Sequence, residues 1–216
     1  MGRQERAERT RQTLVVAAAV EFDRHGFSGT SLSQVSKAAE VTMGALSFHF
    51  PSKNALAAEV CAQGAAATRA VLDRVVAAPR PGLLAVVDLT LALVHLLEQD
   101  VRARACARLA RDLAPELPSW NSLWCEDLRE LLGRARLDRP AAAVEGLRTL
   151  VRYLMAGAEA SIRARAAGDG AADGGVAGDG RAGSGVADEL EGVWELLDRG
   201  LDLGPLRAEA KLGRTR

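Results

Sequence analysis

The sequence is poor in lysine and aromatic residues, and it has no excess of positive charge. It holds three lysines in 216 residues, and aromatic residues make up 4% of it. Twenty-eight basic residues balance 28 acidic ones, which excludes a protein that coats nucleic acid through its overall charge. Any binding of DNA must therefore be local. Alanine, leucine, arginine and glutamate dominate, and this composition favours helices.

Cysteines and long apolar runs are also scarce. The three cysteines, Cys61, Cys106 and Cys125, lie far apart without paired spacing, and no signal peptide precedes them. We therefore expect reduced thiols in a cytoplasmic protein. The most apolar stretch, residues 83–97, is interrupted by Asp88 and His95 and is too short for a membrane span. It predicts a core helix and no membrane partner.

The N-terminal region begins with a basic segment followed by a helical pattern. Residues 1–12 carry four arginines and two glutamates, a net of +2, and we expect an unstructured arm there. The arm is either a solvated tail or a contact for DNA phosphates. Leu14, Ala18 and Phe22 recur every four residues until Gly26, which predicts a helix over residues 9–25.

Two short helices are predicted next. Ser31 and Gln34 have the spacing of a capping box, and the helix that they begin should end near Glu40 and Val41. Thr42 should cap a third helix whose Leu46 and Phe50 face inward. Two short helices that lean on a preceding one form a helix-turn-helix, whose second member fits the DNA major groove.

Further helices are predicted over residues 52–76, 83–98, 101–113 and 120–136. Two later apolar stripes need a covering surface, either within the monomer or in a second subunit, and we favour a helical dimer interface. The stripes comprise Leu147, Leu150, Val151, Leu154, Ala158 and Ile162, and then Leu190, Val193, Trp194, Leu197 and Leu201.

Residues 168–185, between the stripes, consist almost wholly of glycine, alanine and aspartate, and they predict a flexible loop. Gly178, Gly180 and Gly183 match the dinucleotide pattern G-x-G-x-x-G. Since no strand precedes them, we reject a nucleotide site and predict no cofactor.

The segment TSLSQVSKAAEVTMGALSFHFPSK, Thr30 to Lys53, resembles the DNA-binding signature of TetR-family transcriptional repressors. The resemblance implies an all-α fold with a DNA-binding domain over residues 8–68, in which the helix-turn-helix spans 31–50. A ligand-binding and dimerisation domain would cover residues 69–204. The implied partners are operator DNA, a small-molecule effector and a second copy of the chain. The implied DNA-binding residues are Arg9, Arg11, Thr30, Ser31, Thr42, Met43, Gly44, Ala45, Ser47, His49 and Lys53, of which His49 and Lys53 lie where a phosphate meets a helix N-terminus.

Three residues depart from the family pattern. Ser47 replaces the usual tyrosine, Met43 replaces a polar or basic residue, and Glu40 replaces a glycine in the turn. A non-glycine residue in a left-handed turn costs about 1–2 kcal/mol, and the extra carboxylate lies near phosphates. We therefore expect weaker or differently specified operator binding than in a typical relative.

Within the family, the chain is similar to actinobacterial γ-butyrolactone autoregulator receptors and their pseudo-receptor relatives. Those proteins stack a tryptophan on the ligand seven residues before a Leu-Leu pair, which is where Trp124 stands. Trp120, four residues earlier, would share its helix face. Core filling is the alternative for both tryptophans, as it is for His95. The predicted effector contacts are Trp124, Trp120, Leu91, Val94, His95 and Glu159.

Two other functions are alternatives to a ligand-responsive repressor. An enzyme is disfavoured, since the chain has no nucleophile elbow, no paired carboxylates in a cleft-forming pattern and no metal-ligand spacing among its three histidines. The second alternative is a degenerate receptor that acts by forming heterodimers or without responding to a ligand. The departures at positions 40, 43 and 47 support this alternative.

Overall fold

A computed structural model describes residues 2–80, 82–135, 140–169 and 185–201, and these residues form helices without a strand. The predicted all-α class is therefore confirmed. Most of the predicted loop at 168–185, together with its glycine motif and residues 202–204, lies outside the described residues. The helices are α1 (Arg3–Gly29), α2 (Leu32–Ala38), α3 (Met43–His49), α4 (Lys53–Ala77), α5 (Leu84–Gln99), α6 (Val101–Asp112), α7 (Cys125–Arg134), α8 (Ala141–Asp169) and α9 (Val186–Leu201), with a short 3₁₀ turn at Trp120–Leu123.

Helix α1 begins at Arg3, so the prediction of an unstructured N-terminal arm was wrong. The local sequence explains the extension. The Gly2 backbone N–H donates to the Glu5 carboxylate at 3.0 Å, and Gln12 donates to Glu8 one turn back at 2.8 Å. Both contacts stabilise early turns of a helix. At the other end, Gly26 interrupts the helix with a φ of 72°, as its position in the sequence predicted.

The helices form two compact units. The first contains the chain up to Ala70 together with Gln99–Leu123, and the second contains Val71–Glu98 together with the chain from Trp124 onward. Helix α6 therefore packs with the N-terminal helices, chiefly with α1. The sequence had placed a single boundary at residue 69. One domain boundary does not describe how the helices pack, because Ala105 and Leu109 of α6 lie buried in the same apolar cluster as Leu14 and Phe22 of α1.

Helices α4 and α6 lie close together at Gly64. A Cβ atom at this position would lie 2.4 Å from the Arg102 carbonyl oxygen and 2.6 Å from the Cys106 Cβ. Those separations are below van der Waals contact, so only glycine fits without a shift of backbone. At the same crossing, the interaction between the thiols of Cys61 and Cys106 lowers the pKa of Cys61 and raises that of Cys106. Gly64 therefore sets the distance between α4 and α6.

The second unit has a separate core to which α5, α7, α8 and α9 all contribute. Thr90 of α5 is fully buried, and its hydroxyl accepts a hydrogen bond at 2.9 Å from Nε1 of Trp194, which is itself buried. Glu98 accepts hydrogen bonds from the first backbone N–H groups of α9, at 2.6 Å from Val186 and 3.3 Å from Ala187. A carboxylate at this position satisfies helix donors that would otherwise lack partners. These contacts fix α9 on the end of α5.

No helix among the described residues is both long enough and apolar enough to cross a membrane.

The substitution Gly64→Ala should lower the free energy of unfolding by about 1–3 kcal/mol, because the new methyl group overpacks the α4–α6 crossing against backbone. Gly133→Ala in α7 is the matched control, since its Cβ would meet nothing within 4 Å. It should instead gain about 0.5–1 kcal/mol from helix propensity. Urea denaturation measures both values, and equal stability of the two variants would contradict the assigned packing.

Candidate functional site

The two helices of the predicted helix-turn-helix begin where the sequence indicated. Ser31 Oγ accepts the Gln34 backbone N–H at 3.2 Å, and the Gln34 side chain accepts the Ser31 N–H at 2.7 Å. Thr42 Oγ1 accepts the Ala45 N–H at 3.2 Å. Leu46 and Phe50 are buried, as their spacing predicted. The capping predictions for α2 and α3 are confirmed.

The turn between α2 and α3 passes through Glu40 in the left-handed region. Its φ is 55°, and no other described residue except glycine has a positive φ. The turn is held from both sides, because the Val41 N–H donates to the Ser36 carbonyl at 3.1 Å and Ser36 Oγ donates to the Val41 carbonyl at 2.6 Å. The strain predicted at Glu40 is therefore present, at about 1–2 kcal/mol.

The outward face of α3 carries no charged side chain. Met43 is 44% exposed and Phe48 is 81% exposed, and Gly44 and Ser47 are exposed as well. The Phe48 ring makes an edge contact with the half-buried His49 ring, with centroids 5.2 Å apart. Phe48 is not among the site residues predicted from the sequence. The inward assignment of Leu46 and Phe50 was the available signal, since it leaves positions 47 and 48 on the outer face of a helix.

The Lys53 side chain forms hydrogen bonds within the protein. Its Nζ donates to the carbonyls of Phe27 at 2.9 Å and of Thr30 at 3.0 Å, and it lies 4.3 Å from the centroid of the Phe27 ring. This ammonium group therefore ties the start of α4 to the end of α1. These two carbonyls take up two of its three N–H donors, and a phosphate contact through the third stays a prediction.

Thr30 is also internal, with 2% of its surface exposed. Its hydroxyl lies 2.8 Å from the Gly26 carbonyl and 3.1 Å from the Glu21 carbonyl. The side chain thus closes the end of α1, and it is unavailable as the DNA contact that the sequence predicted.

Arg11 makes a two-pronged ion pair with Glu59 of α4, at 3.0 and 2.6 Å, and lies 5.2 Å from the Phe50 ring centroid. These hydrogen bonds, with a further one from Gln63, hold the pKa of Glu59 below its usual value. Arg11 therefore packs α1 against α4, contrary to its predicted role on DNA. Arg9, by contrast, is exposed on α1.

A groove of about 620 Å³ runs between the early turns of α1 and the end of α3. Phe48 and His49 line one side, and Gln4, Glu5, Ala7, Glu8 and Arg11 line the other. The helical N-terminal segment thus stands beside the outward face of α3, with two acidic side chains next to it.

Helix α6 contacts the C-terminal end of α1 through polar side chains, and the sequence pattern did not predict these contacts. Arg104 Nε donates to the Asp23 carboxylate at 2.8 Å. Arg108 donates to the Asp23 carbonyl at 2.6 Å and to the Arg24 carbonyl at 3.1 Å. The Phe27 N–H donates to Asp112 at 2.8 Å. These contacts hold α6 on the helix that precedes the helix-turn-helix.

The two tryptophans proposed to contact an effector do not share a helix face, which corrects the sequence interpretation. Trp120 opens the 3₁₀ turn, is buried in the first unit, and donates from Nε1 to Thr68 Oγ1 at 3.2 Å. Trp124 precedes α7, belongs to the second unit and is fully buried. The chain changes from a 3₁₀ turn to an α-helix between them.

The remaining effector candidates are dispersed. Val94 is buried and Leu91 is half-buried, but His95 is exposed, with Nδ1 2.9 Å from the Leu91 carbonyl. Glu159 pairs with Arg163 one turn later in α8, at 3.4 Å. The structure does not place His95 in an apolar cavity.

The two stripes predicted as a dimer interface are largely covered within the monomer, so the favoured interpretation needs correction. A helix that packs on α5 or α7 buries the same apolar residues that a dimer would cover, and the sequence pattern cannot separate the two cases. Leu150, Leu154 and Leu197 are half-buried, Val193 is exposed, and the Leu201 side chain lies outside the described residues. The buried members are Leu147, Val151, Ala158, Ile162, Leu190 and Trp194.

Comparison with known sequences finds relatives of the N-terminal region. The family described as bacterial regulatory proteins, tetR family, matches residues 14–60. The A-factor receptor protein of Streptomyces griseus is 46% identical over 57 residues, which is 26% of this chain and 21% of the relative. The probable acrEF/envCD operon repressor of Escherichia coli K12 is 40% identical over 65 residues, 29% of this chain and 30% of the relative. These matches span less than a third of the relatives' own length.

Solved structures resemble the chain over more of its length. A γ-butyrolactone receptor described as ArpA-like superimposes with a TM-score of 0.68 and 27% identity, covering 90% of this chain and 89% of the other. The TetR family protein CprB from Streptomyces coelicolor, in complex with its biological operator sequence, is 34% identical with a TM-score of 0.58. That match covers 68% of this chain and 76% of the other. Together with the capped helix-turn-helix, these findings show that the chain belongs to the TetR family of bacterial regulatory proteins.

Proposed function

We propose that the chain is a transcriptional repressor that binds a palindromic operator as a homodimer and leaves it when a small-molecule effector binds. The observation that carries the proposal is the outward face of α3. It is exposed on a helix whose inner residues, Leu46 and Phe50, are buried and whose start is capped by Thr42. A short, rigidly seated helix with a free outer face is the element that a helix-turn-helix protein places in the major groove.

A dimer surface is proposed on the outer faces of α8 and α9, in place of the stripes that are buried in the monomer. Tyr153 is 73% exposed on α8 and Leu196 is 63% exposed on α9. Small residues flank them, and a Cβ at Gly157 or Gly192 would meet nothing within 4 Å. Since α8 and α9 pack on each other, their outer faces form one surface, on which glycines allow a second copy to approach closely.

Release of DNA is proposed to pass through α6. This helix holds the end of α1 through Arg104, Arg108 and Asp112. A shift of α6 would therefore move α1, and with it α3. Displaced recognition helices no longer match successive major grooves, which lie about 34–36 Å apart. The coupling must be reciprocal, so operator DNA weakens effector binding by the same factor by which effector weakens DNA binding.

The proposed effector is a γ-butyrolactone or a related signalling molecule. The structural relative described as a γ-butyrolactone receptor supports this class. Trp124 is the proposed contact, because it is fully buried in the second unit at the start of α7, where an apolar ligand would find a large ring.

A second candidate function is a degenerate receptor that acts by heterodimerisation. The strained turn at Glu40 and the uncharged outward face of α3 favour it, since both weaken contact with phosphates. Sequence-specific operator binding by the purified homodimer decides between the two candidates.

The operator prediction is tested with palindromes that flank the gene, or with a site selected from random duplexes, titrated by gel shift. The wild-type protein should bind one such site specifically. Glu40→Gly should bind more tightly and gain about 1 kcal/mol of stability in urea, because glycine relieves the left-handed strain and removes a carboxylate.

Glu40→Gln separates these two effects. It removes the charge and keeps the Cβ, so it should improve DNA binding at low salt without any gain in stability. An unchanged free energy of unfolding for Glu40→Gly would contradict the strain, and loss of all specific binding in every variant would favour the heterodimer candidate.

For the dimer surface, Tyr153→Glu should convert the homodimer into monomers, because it puts a charge without a partner into the proposed interface. Sedimentation velocity measures the mass. Phe48→Glu is the control, since it alters another highly exposed aromatic residue, on α3, and should leave the dimer intact. A dimeric Tyr153→Glu protein would place the interface elsewhere.

The effector prediction uses a synthetic γ-butyrolactone with an apolar side chain, titrated into the protein–operator complex. Wild type should release DNA, and Trp124→Phe should need at least several-fold more lactone, because it removes part of the ring surface. Trp194→Phe, a buried tryptophan bonded to Thr90, is the matched control and should respond like wild type. An identical response of both variants would remove Trp124 from the site.

A further inference from the structure

The outward face of α3 offers an unusual set of chemical groups to the major groove. Its exposed side chains are the thioether of Met43, the hydroxyl of Ser47 and the ring of Phe48, and Gly44 lies between them without a side chain. Arginine and lysine read guanine, and asparagine and glutamine read adenine, through paired hydrogen bonds. None of these residue types occurs in α3.

Only one base of unmodified DNA presents an apolar group in the major groove, and that is thymine, through its C5-methyl. We propose that Met43 and Phe48 read thymine methyl groups in each operator half-site, so that this protein selects its operator largely by apolar contact. The inference rests on the proposed binding of operator DNA, and it specifies which base features that binding recognises.

Phe48 is suited to this role by its exposure and by its contact with the His49 ring. At 81% exposure the ring contributes almost nothing to the core, so its apolar surface is available to a partner. The edge contact with the His49 ring, 5.2 Å between centroids, restricts the ring before DNA arrives. A ring that is already oriented loses less conformational entropy on binding.

Met43 and Gly44 complete the arrangement at the other end of the helix. Met43 is the first residue of α3, where recognition helices make their base contacts, and it is 44% exposed. A Cβ at Gly44 would meet only Thr42 Oγ1, at 3.9 Å, so the space in front of this backbone is open. The open space lets the helix sit deep enough for a flexible thioether to reach a methyl group.

The test starts from the operator that wild type selects from random duplexes. Each thymine of the half-site is then replaced by deoxyuridine, which removes the C5-methyl and keeps every hydrogen-bonding group. Dissociation constants are measured by fluorescence anisotropy at one salt concentration. At one or two positions per half-site, loss of the methyl should weaken binding by about fourfold, the value expected for one buried methyl group.

Alanine variants identify which side chain contacts which thymine methyl group. Phe48→Ala and Met43→Ala should each bind the thymine operator less tightly and lose the uracil effect at one position, while retaining it at the other. Both residues are exposed, so neither variant disturbs the core. Val16→Ala, an exposed apolar residue of α1, is the matched control and should keep the full uracil effect.

The outcomes separate this inference from the proposed function. Specific binding that is insensitive to uracil at every position overturns methyl reading and leaves the repressor proposal standing. If the uracil effect survives in both alanine variants, the effect arises from DNA shape, and the proposed roles of Met43 and Phe48 are overturned. If wild type selects no sequence at all, the proposed function itself fails.

Discussion

The structure of the first unit depends on the way the C-terminal end of α1 is held. The last carbonyl groups of a helix lack partners within it. At the end of α1, Arg108 of α6 donates hydrogen bonds to the carbonyl groups of Asp23 and Arg24. Lys53 of α4 donates a hydrogen bond to the carbonyl group of Phe27. Charged donors make stronger hydrogen bonds than neutral ones, and they favour a helix C-terminus electrostatically. One helix end thus fixes α1, α4 and α6 together.

This constraint also holds the helix-turn-helix in place. Helices α2 and α3 have only seven residues each and are too short to be stable alone. They are held because Val35, Leu46 and Phe50 pack into the core that α1, α4 and α6 create. The outer face of α3 is thereby left exposed. In the proposed mechanism, a movement of α6 would reach α3 through the same contacts that stabilise the fold.

Two features that do not favour binding to phosphates lie close together, in the turn before α3 and on its outer face. Glu40 strains the turn just before α3, and the face of α3 holds no charge that would anchor it to phosphates. In the proposed function, affinity for DNA would then come from surface contact at the base edges and from residues around the helix. Apolar contacts discriminate sequence without strong long-range attraction, which accords with a chain whose basic and acidic residues balance.

The sequence by itself determined the features that depend on neighbours within a few positions. Ser31, Gln34 and Thr42 cap helices because their side chains reach backbone three residues away, and Leu46 and Phe50 face inward because helical spacing puts them on one side. Only the tertiary structure decided that Arg11, Thr30 and Lys53 bond within the protein, that α6 grips α1, and that the stripes of α8 and α9 are mostly covered in the monomer. An arginine or an apolar stripe looks the same in sequence whether its partner is DNA, a second subunit or a distant helix. The partner is set by which segments the fold brings together, and local pattern does not encode that choice.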